Sequence, residues 1–336
     1  MPVGPATQLS TLRPDLARSL EQFNLEMDRK NFVGQKVMPP LPVYESGGTY
    51  GIIPLEALLK NGETIRNADG SYRRDDWDFD TNKFATQERG VEQRVDDNAS
   101  AMFANYFDME RIATGRAMDR IARAQEIRIS KLYFNTSNFA NTGVSTPWST
   151  GSSATPIEDV KAGKKAFWQQ CGLWPNAGLC ERHLFMELQN CDEIVDRVKF
   201  QGFQDARPGN ITAQAIAQAL DLPQLIVAGG AQNTANPAQA RSLSEIWSPN
   251  YFMLLLLPEG EDPVEPCTGR LFHWDESRQE YGDLATEGGS GPLPVVETYR
   301  DEPKRSDIVR VRHQVEEVIY YPEAGYLLTD VYADTP

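Results

Sequence analysis

The sequence has 336 residues, of which 40% are hydrophobic and 24% charged, the composition of a folded protein with room for about two or three domains. Its 33 basic and 48 acidic residues give a net charge of −15, which argues against tight, sequence-independent binding of nucleic acid. The longest apolar run, residues 251–257, is too short for a membrane span and predicts a buried strand, and the N-terminus lacks the pattern of a secretory signal. We therefore expect synthesis in the cytoplasm and no membrane contact.

The first third of the chain is predicted to form an extended arm followed by a long hairpin. Residues 1–44 are an arm with one short helix, followed by the proline-rich segment 37–43, which imposes an extended path. Residues 45–98 are a long hairpin, with a strand from about residue 47 and a returning strand over 84–95. A ribbon with so little apolar surface is marginal in water. It must therefore lie on another part of this chain or on a neighbouring copy.

A long helix is predicted over residues 108–134, about 40 Å in length. Asp108 can cap its N-terminus, and Asp119 with Arg123 forms a favourable pair four residues apart. The remaining positions divide into two faces. The predicted apolar face comprises Met109, Ala113, Ala117, Ile121, Ala124 and Ile127. The predicted solvent face comprises Arg116, Asp119, Arg123, Glu126 and Ser130.

The middle of the chain alternates helix and strand signals. Residues 157–170 predict a helix that buries Val160 and Phe167, with Trp168 widening the same face. Further helices are predicted within 184–195 and 212–220, and strands at 224–228, 247–257 and 271–274.

The C-terminal end predicts a strand pair. Residues 308–315 alternate between two sets, Val309, Val311, His313 and Val315 on one side and Ile308, Arg310, Arg312 and Gln314 on the other. This period of two is typical of a strand with two unlike faces. A turn at 322–325 then leads to a second apolar strand over 326–331. The whole pattern predicts an α+β fold. Residues 99–170 and 292–336 are expected to build one discontinuous domain, with 171–291 inserted between them.

The sequence lacks the motifs that are typical of catalytic and nucleotide-binding sites. It contains no GxSxG, HExxH, Walker A or GxGxxG motif. Cys180 and His183 have the spacing of one zinc-ligand couple, but a second couple is absent, and the four cysteines are expected to be reduced and structural. The acidic run 75–80 and the lysines 161, 164 and 165 are expected to be solvated faces. We predict no catalytic residues, no cofactor, no metal site and no enzymatic activity.

Several segments, taken in order, resemble the major capsid protein of tailed double-stranded-DNA bacteriophages, the HK-ninety-seven-like fold. The similarity covers nearly the whole chain. The segments that carry it are VMPPLPVYESGGTYGI (37–52), the long helix 108–134, GLWPN (172–176), LFMELQNCDEIVDRVKF (184–200), ITAQAIAQALDLPQLIV (211–227), QNTA (232–235) with EIW (245–247), TGRLF (268–272) and EAGYLLTDV (323–331).

The resemblance implies a particular architecture and role. Residues 1–44 would be the N-arm and 45–98 the E-loop, which in such capsids lies across the adjacent subunit. Residues 99–170 with 292–336 would form the peripheral domain with its long spine helix, and 171–291 the axial domain. The implied function is a structural protein that assembles as hexamers and pentamers into an icosahedral head around double-stranded DNA.

The resemblance also bears on partners. Some family members carry a long cleaved scaffolding segment, but only 44 residues precede the hairpin, so a separate scaffolding protein is expected. A portal protein, a possible decoration protein and weak, nonspecific contact with the packaged DNA complete the expected partners. Lys60 and Lys83 lie in the hairpin without any local signature of a crosslink. Two other functions remain open, an encapsulin-like compartment shell and an enzyme that uses Cys180 and His183.

Overall fold

The computed structural model describes residues 30–61, 70, 79–104, 106, 108–200, 211–236, 239–260, 265–274 and 294–333. Its α-helices are α1 (Gly34–Val37), α2 (Leu55–Leu59), α3 (Asp97–Phe103), α4 (Met109–Tyr133), α5 (Pro156–Cys171), α6 (Arg182–Asn190), α7 (Asp192–Phe200) and α8 (Ala213–Ala219). Its strands are β1 (Pro40–Val43), β2 (Gly47–Ile52), β3 (Asp80–Ala85), β4 (Gln87–Asp96), β5 (Ala140–Gly143), β6 (Ala177–Glu181), β7 (Gln224–Ala228), β8 (Ala231–Asn233), β9 (Leu243–Glu245), β10 (Tyr251–Leu255), β11 (Gly269–Trp274), β12 (Val295–Asp301), β13 (Ser306–Ile319) and β14 (Gly325–Thr329). The predicted arm helix and most of the acidic run 75–80 lie outside the described residues.

The first sheet is organised around β13. Its order is β1-β11-β13-β12, and β4 also pairs with β13. The register with β4 runs for ten residues, from Ser306 opposite Asp96 to Val315 opposite Gln87. One face of β13 is buried and comprises Val309, Val311, His313 and Val315. The residues that alternate with them, Arg310, Arg312 and Gln314, are half-buried, so the predicted two-faced strand is confirmed. The returning strand of the hairpin is thus part of this chain's own sheet.

The second sheet has the order β5-β14-β10-β6-β7. β10 lies at its centre and is buried from Phe252 to Leu255, as its apolar sequence predicts. Helix α5 covers this sheet, and its Gly163 lets Leu254 and Leu328 approach closely. The last strand, β14, pairs with β10.

The two C-terminal strands are therefore both confirmed, but the prediction that they form a pair is wrong. β13 belongs to the first sheet and β14 to the second. A single helical turn at Pro322–Ala324 carries the chain from one sheet to the other. There β14 buries its side chains beside β10, because both strands are almost wholly apolar.

The long helix begins and ends within one residue of its prediction. Asp108 accepts a hydrogen bond from the Arg111 amide, as its capping position predicts, and Arg123 lies 3.0 Å from Asp119. The two predicted faces are only partly right. Ala124 is exposed, whereas Glu126 and Ser130 are buried.

The reason is that α4 packs on two different surfaces. Its N-terminal half, including Ala113, Ala117 and Ile121, packs against apolar residues of the first sheet. Its C-terminal half, including Ile129 and Tyr133, packs in a cluster with arm residues 32–38. The buried stripe therefore rotates around the helix, which a single straight stripe in the sequence does not predict.

Strand pairing also crosses the borders of the predicted domains. β11 pairs with β13, and β14 pairs with β10, so each sheet combines residues from the inserted segment 171–291 with residues from its flanks. The division into N-arm, E-loop, peripheral domain and axial domain stays a prediction.

The closed packing of the second sheet can be tested at Gly178 on β6. A Cβ atom there would lie 2.9 Å from Phe252 Cζ and 3.0 Å from Leu222 Cδ1, whereas at Gly51 on β2 it would meet nothing within 4 Å. We expect Gly178→Val to lower the free energy of unfolding by about 1–3 kcal/mol because it overpacks the core. Gly51→Val should leave the urea midpoint nearly unchanged. Equal midpoints for the two variants would contradict this packing.

Candidate functional site

The residues proposed for chemistry are not assembled into a reactive site. Among the described residues, no group of three or more His, Cys, Asp or Glu side chains is placed to hold a metal ion. Cys180 is fully buried, and burial raises the pKa of its thiol far above the ordinary range, so the reactive thiolate is disfavoured. His183 Nδ1 lies 3.0 Å from Glu181 Oε1. This arrangement gives no support to a Cys180–His183 nucleophile.

No helix in the described parts of the chain has the length and hydropathy that a membrane span needs.

A buried carboxylate, that of Glu126 on α4, receives three hydrogen bonds. Its Oε1 accepts hydrogen bonds from the Val33 amide at 2.9 Å and from Trp247 Nε1 at 2.7 Å, and its Oε2 accepts one from the Gly34 amide at 2.8 Å. Burial raises the pKa of Glu126, and the three donors oppose that rise. Gly34 is required here, since a Cβ atom would lie 2.6 Å from Glu126 Oε2. The carboxylate thus ties the arm to the long helix.

Other contacts extend this junction on either side. Lys30 Nζ lies 2.6 Å from Asp119 Oδ1, and the Arg123 guanidinium lies 5.9 Å from the centre of the Phe32 ring. Tyr133 donates a hydrogen bond to the Val37 carbonyl at 3.3 Å. Residues 30–38 therefore lie along α4 over several turns. The sequence contains no signal for this, because the partners of Glu126 lie about a hundred residues away in the chain.

The described part of the hairpin packs on its own chain from β2 to α2, where Tyr321 donates a hydrogen bond to the Ile53 carbonyl and Leu59 lies against Gly172. β2 and β3 pair over six residues, and the Tyr50 and Phe84 rings lie 5.2 and 5.1 Å from Phe272. Ile52 is also buried in the core. Most of β3 is exposed within this chain. Of the two supports expected for the hairpin, this chain supplies one for the described β2 and α2.

Ion pairs fix the returning strand and the long helix to β13. Arg310 pairs with Glu92 of β4 at 2.7 Å, and Arg128 of α4 pairs with Glu317 at 2.6 Å. Such pairs contribute at most about 1 kcal/mol each where they are exposed. Their effect here is to fix register and orientation among three elements.

His313 lies buried among these cations. Burial, together with the nearby charges of Arg128 and Arg89, lowers the pKa of His313 to about 4. Its Nε2 atom has no hydrogen-bond partner among the described residues. His313 is therefore neutral at pH 7 and becomes unfavourable when it is protonated.

Two tryptophans form an exposed stacked pair at the end of α5. Trp168 is 48% exposed and Trp174 is 59% exposed, and their rings lie 6.1 Å apart at 24°. Leu59 of α2, itself 54% exposed, lies against Gly172 in the turn between them. We call Trp168, Trp174 and Leu59 the tryptophan surface. The prediction that Trp168 widens the buried face of α5 is wrong, because that ring stacks on Trp174 instead of entering the core.

Lys164 also departs from its prediction. It is buried, and its Nζ donates to the Leu220 carbonyl at 3.0 Å and to Asp221 Oδ2 at 2.8 Å. Its charge fixes the end of α8, whereas Lys161 and Lys165 are exposed as expected.

Comparisons with known proteins find solved structures that have a similar fold. The chain matches no protein-family model, and no curated protein is similar to it in sequence. A phage-related protein from Bordetella bronchiseptica RB50 has a TM-score of 0.67 at 18% identity, covering 96% of this chain and 98% of that one. The capsid structure of cyanophage P-SCSP1u has a TM-score of 0.56 at 8% identity, covering 87% and 86%. The virus-like particle of Pyrococcus furiosus has a TM-score of 0.52 at 10% identity, covering 92% and 98%.

The chain has the phage capsid fold. The predicted α+β, HK-ninety-seven-like fold class is confirmed, since the likeness extends over nearly the full length of both chains. At such low sequence identity the comparisons establish the fold.

Removal of the Glu126 carboxylate tests the junction between arm and helix. Glu126→Ala leaves three buried donors without their acceptor, so we expect the free energy of unfolding to fall by about 3 kcal/mol or more. Hydrogen exchange at residues 33–38 should rise at the same time. Glu158→Ala, an exposed carboxylate on α5, is the matched control and should cost less than about 1 kcal/mol. Unchanged exchange in the arm of the Glu126 variant would contradict the junction.

The lowered pKa of His313 predicts that the protein loses stability in acid. Its folded-state pKa lies below the unfolded value, so the unfolded state binds more protons and stability falls as the pH drops from about 6.5 towards 4. We expect the free energy of unfolding of the wild type to fall by up to about 3 kcal/mol more than that of His313→Leu over this range. Urea unfolding at several pH values measures the difference. Parallel pH profiles for the two proteins would show that His313 does not titrate as described.

Proposed function

We propose that this chain is the major capsid protein of a tailed double-stranded-DNA phage, which self-assembles as hexamers and pentamers into the icosahedral head. The observation that carries the proposal is the capsid fold over the full chain together with surfaces that a single copy leaves uncovered. The function is structural, and its energy comes from interfaces between copies.

The hairpin supports assembly through its shape. β2 and β3 form a two-stranded ribbon that contacts its own chain at Tyr50, Phe84 and Ile52, while most of β3 faces solvent. Isolated ribbons are marginal in water, so the exposed strand β3 gains stability when a neighbouring copy covers it. We propose that residues 45–98 act as the E-loop in this way.

The tryptophan surface supports assembly through its chemistry. Large, rigid aromatic side chains near a protein surface are typical of the residues that dominate binding energy at interfaces. Trp168 on α5 and Trp174 in the segment that follows it expose about half of their area and lie next to Leu59 of the hairpin. Strand β3 and the Trp168–Trp174 pair are different patches, and a contact that joins one to the other on the next copy would be heterologous and could close into rings of subunits.

The rest of the assembly follows from the same proposal. Residues 1–44 act as the N-arm, 99–170 with 292–336 as the peripheral domain, and 171–291 as the axial domain. The chain folds in the host cytoplasm and ends in the virion capsid. A separate scaffolding protein, a portal protein and a possible decoration protein act with it, and double-stranded DNA is enclosed by weak contacts. The proposed role needs no catalytic residue, cofactor or metal.

An encapsulin-like compartment shell is the less favoured alternative. The virus-like particle of Pyrococcus furiosus has a similar fold, but the phage-related protein and the cyanophage capsid superpose with higher TM-scores. Particles that enclose an enzyme rather than DNA would favour the alternative.

The proposal predicts that the tryptophan surface is needed for assembly and not for folding. We expect Trp168→Ala with Trp174→Ala to weaken association between copies by at least about tenfold, since each ring loses a large apolar contact at the interface. Thermal unfolding of the dissociated subunit should change little. Particles formed with the neighbouring genes are counted by negative-stain electron microscopy and by sedimentation.

The matched control is Leu243→Ala on β9, which removes another exposed apolar side chain at 60% exposure. Particle yield should remain that of the wild type. Normal particles from the double tryptophan variant would remove this surface from the assembly, and a wild type that forms no particles with its neighbouring genes would contradict the proposed function itself.

A further inference from the structure

The solvent-facing side of α4 has a charge opposite to that of the whole protein. Residues 109–133 contain six basic and three acidic side chains, a net charge of +3 in a chain of net charge −15. Two of the acidic residues do not contribute to the exposed face, because Glu126 is buried and Asp119 pairs with Lys30 and Arg123. The remaining face is cationic.

Three of these cations are both exposed and available. Arg116, Arg120 and Lys131 are exposed, and none forms an ion pair with a residue that the structure describes. Arg123 and Arg128, in contrast, are held by Asp119 and Glu317. We call Arg116, Arg120 and Lys131 the cationic face.

The three cations of the cationic face lie along one side of α4. At 3.6 residues per turn, its three side chains lie within about 60° of one another around the helix axis. They span about 22 Å along that axis, a length over which a DNA duplex presents roughly 13 phosphates. Between Arg120 and Lys131 the same side carries exposed Ala124 and half-buried Ile127, and no carboxylate. A rod of phosphates can therefore lie along the helix without meeting an anion.

The composition of this face distinguishes a polyanion from a protein partner. Protein interfaces have an apolar, aromatic core that excludes water. Between Arg120 and Lys131 the uncharged positions are an alanine and a half-buried isoleucine, while Ile112, one turn before Arg116, is 41% exposed; the exposed tryptophans lie elsewhere in the chain. Cations along one side of a helix match the phosphate backbone, whose contacts carry no base-sequence information.

We propose that Arg116, Arg120 and Lys131 of α4 contact the phosphate backbone of the double-stranded DNA enclosed by the shell. The inference rests on the proposed function and assigns its weak DNA contact to one face of one helix. Three cations give a weak, salt-sensitive interaction, and the acidic remainder of the protein repels DNA. The duplex is thereby held in position without being bound tightly.

The test compares two triple variants of the full chain that lose the same charge. Arg116→Gln, Arg120→Gln and Lys131→Gln remove the cationic face, whereas Lys161→Gln, Lys165→Gln and Arg197→Gln remove three exposed cations from α5 and α7. Binding of a random duplex of about 30 base pairs is measured by fluorescence anisotropy over about 20–150 mM salt. Circular dichroism and the urea midpoint confirm that both variants are folded.

Each phosphate contact contributes about 0.9 to the slope of log affinity against log salt. We expect the cationic-face variant to lose about 2.7 of that slope relative to the wild type, and the control variant to keep it. Equal slopes for both variants, or no measurable duplex binding by the wild type at the lowest salt, would overturn the inference.

Particle formation is scored separately by electron microscopy. The cationic-face variant should still form shells, because the proposed interfaces lie elsewhere. Loss of shells with an unchanged salt slope would assign this face to a protein contact and overturn the DNA assignment. Failure of the wild type to form shells would instead contradict the proposed function, while the comparison of slopes remains decisive for the face itself.

Discussion

β13 is the constraint on which the rest of the structure depends. This 14-residue strand pairs with β4 of the hairpin, with β11 of the central segment and with β12, and α4 is fixed to it by the Arg128–Glu317 pair. Strands β4 and β11, which lie far apart in the sequence, are thereby held in one sheet. The hairpin is anchored to this sheet through β4, and its exposed strand β3 is the part that we propose a neighbouring copy covers.

The elements set by local pattern could be predicted from the sequence. The alternation along β13, the caps and length of α4 and the apolar run of β10 each depend on residues a few positions apart. Features set by distant partners were not predicted. Glu126 reads as a solvent-facing carboxylate, and only the amides of residues 33 and 34 and the indole of Trp247 make its burial favourable. No local signal distinguishes Glu126 from the other acidic residues of the helix.

The same distinction applies to the surfaces. The sequence predicted a hairpin that needs support, and the packing of Tyr50 and Phe84 on Phe272 supplies part of that support within the chain. The sequence analysis placed Trp168 in the core, because helical spacing gives the side of the helix on which a residue lies but not how deeply it is buried. In the structure, the turn at Gly172, with its positive φ of 72°, brings the Trp174 ring onto the Trp168 ring. Exposure of large apolar side chains is a property of the folded subunit. It indicates where a monomer is incomplete.

A cryo-electron microscopy map of particles formed by this chain with its neighbouring genes tests the central claim most directly. We expect a closed shell in which the outer face of the β2–β3 ribbon and the Trp168–Trp174 pair are covered by adjacent copies. A chain that stays a stable monomer beside those gene products, or a shell in which both surfaces face solvent, would contradict it.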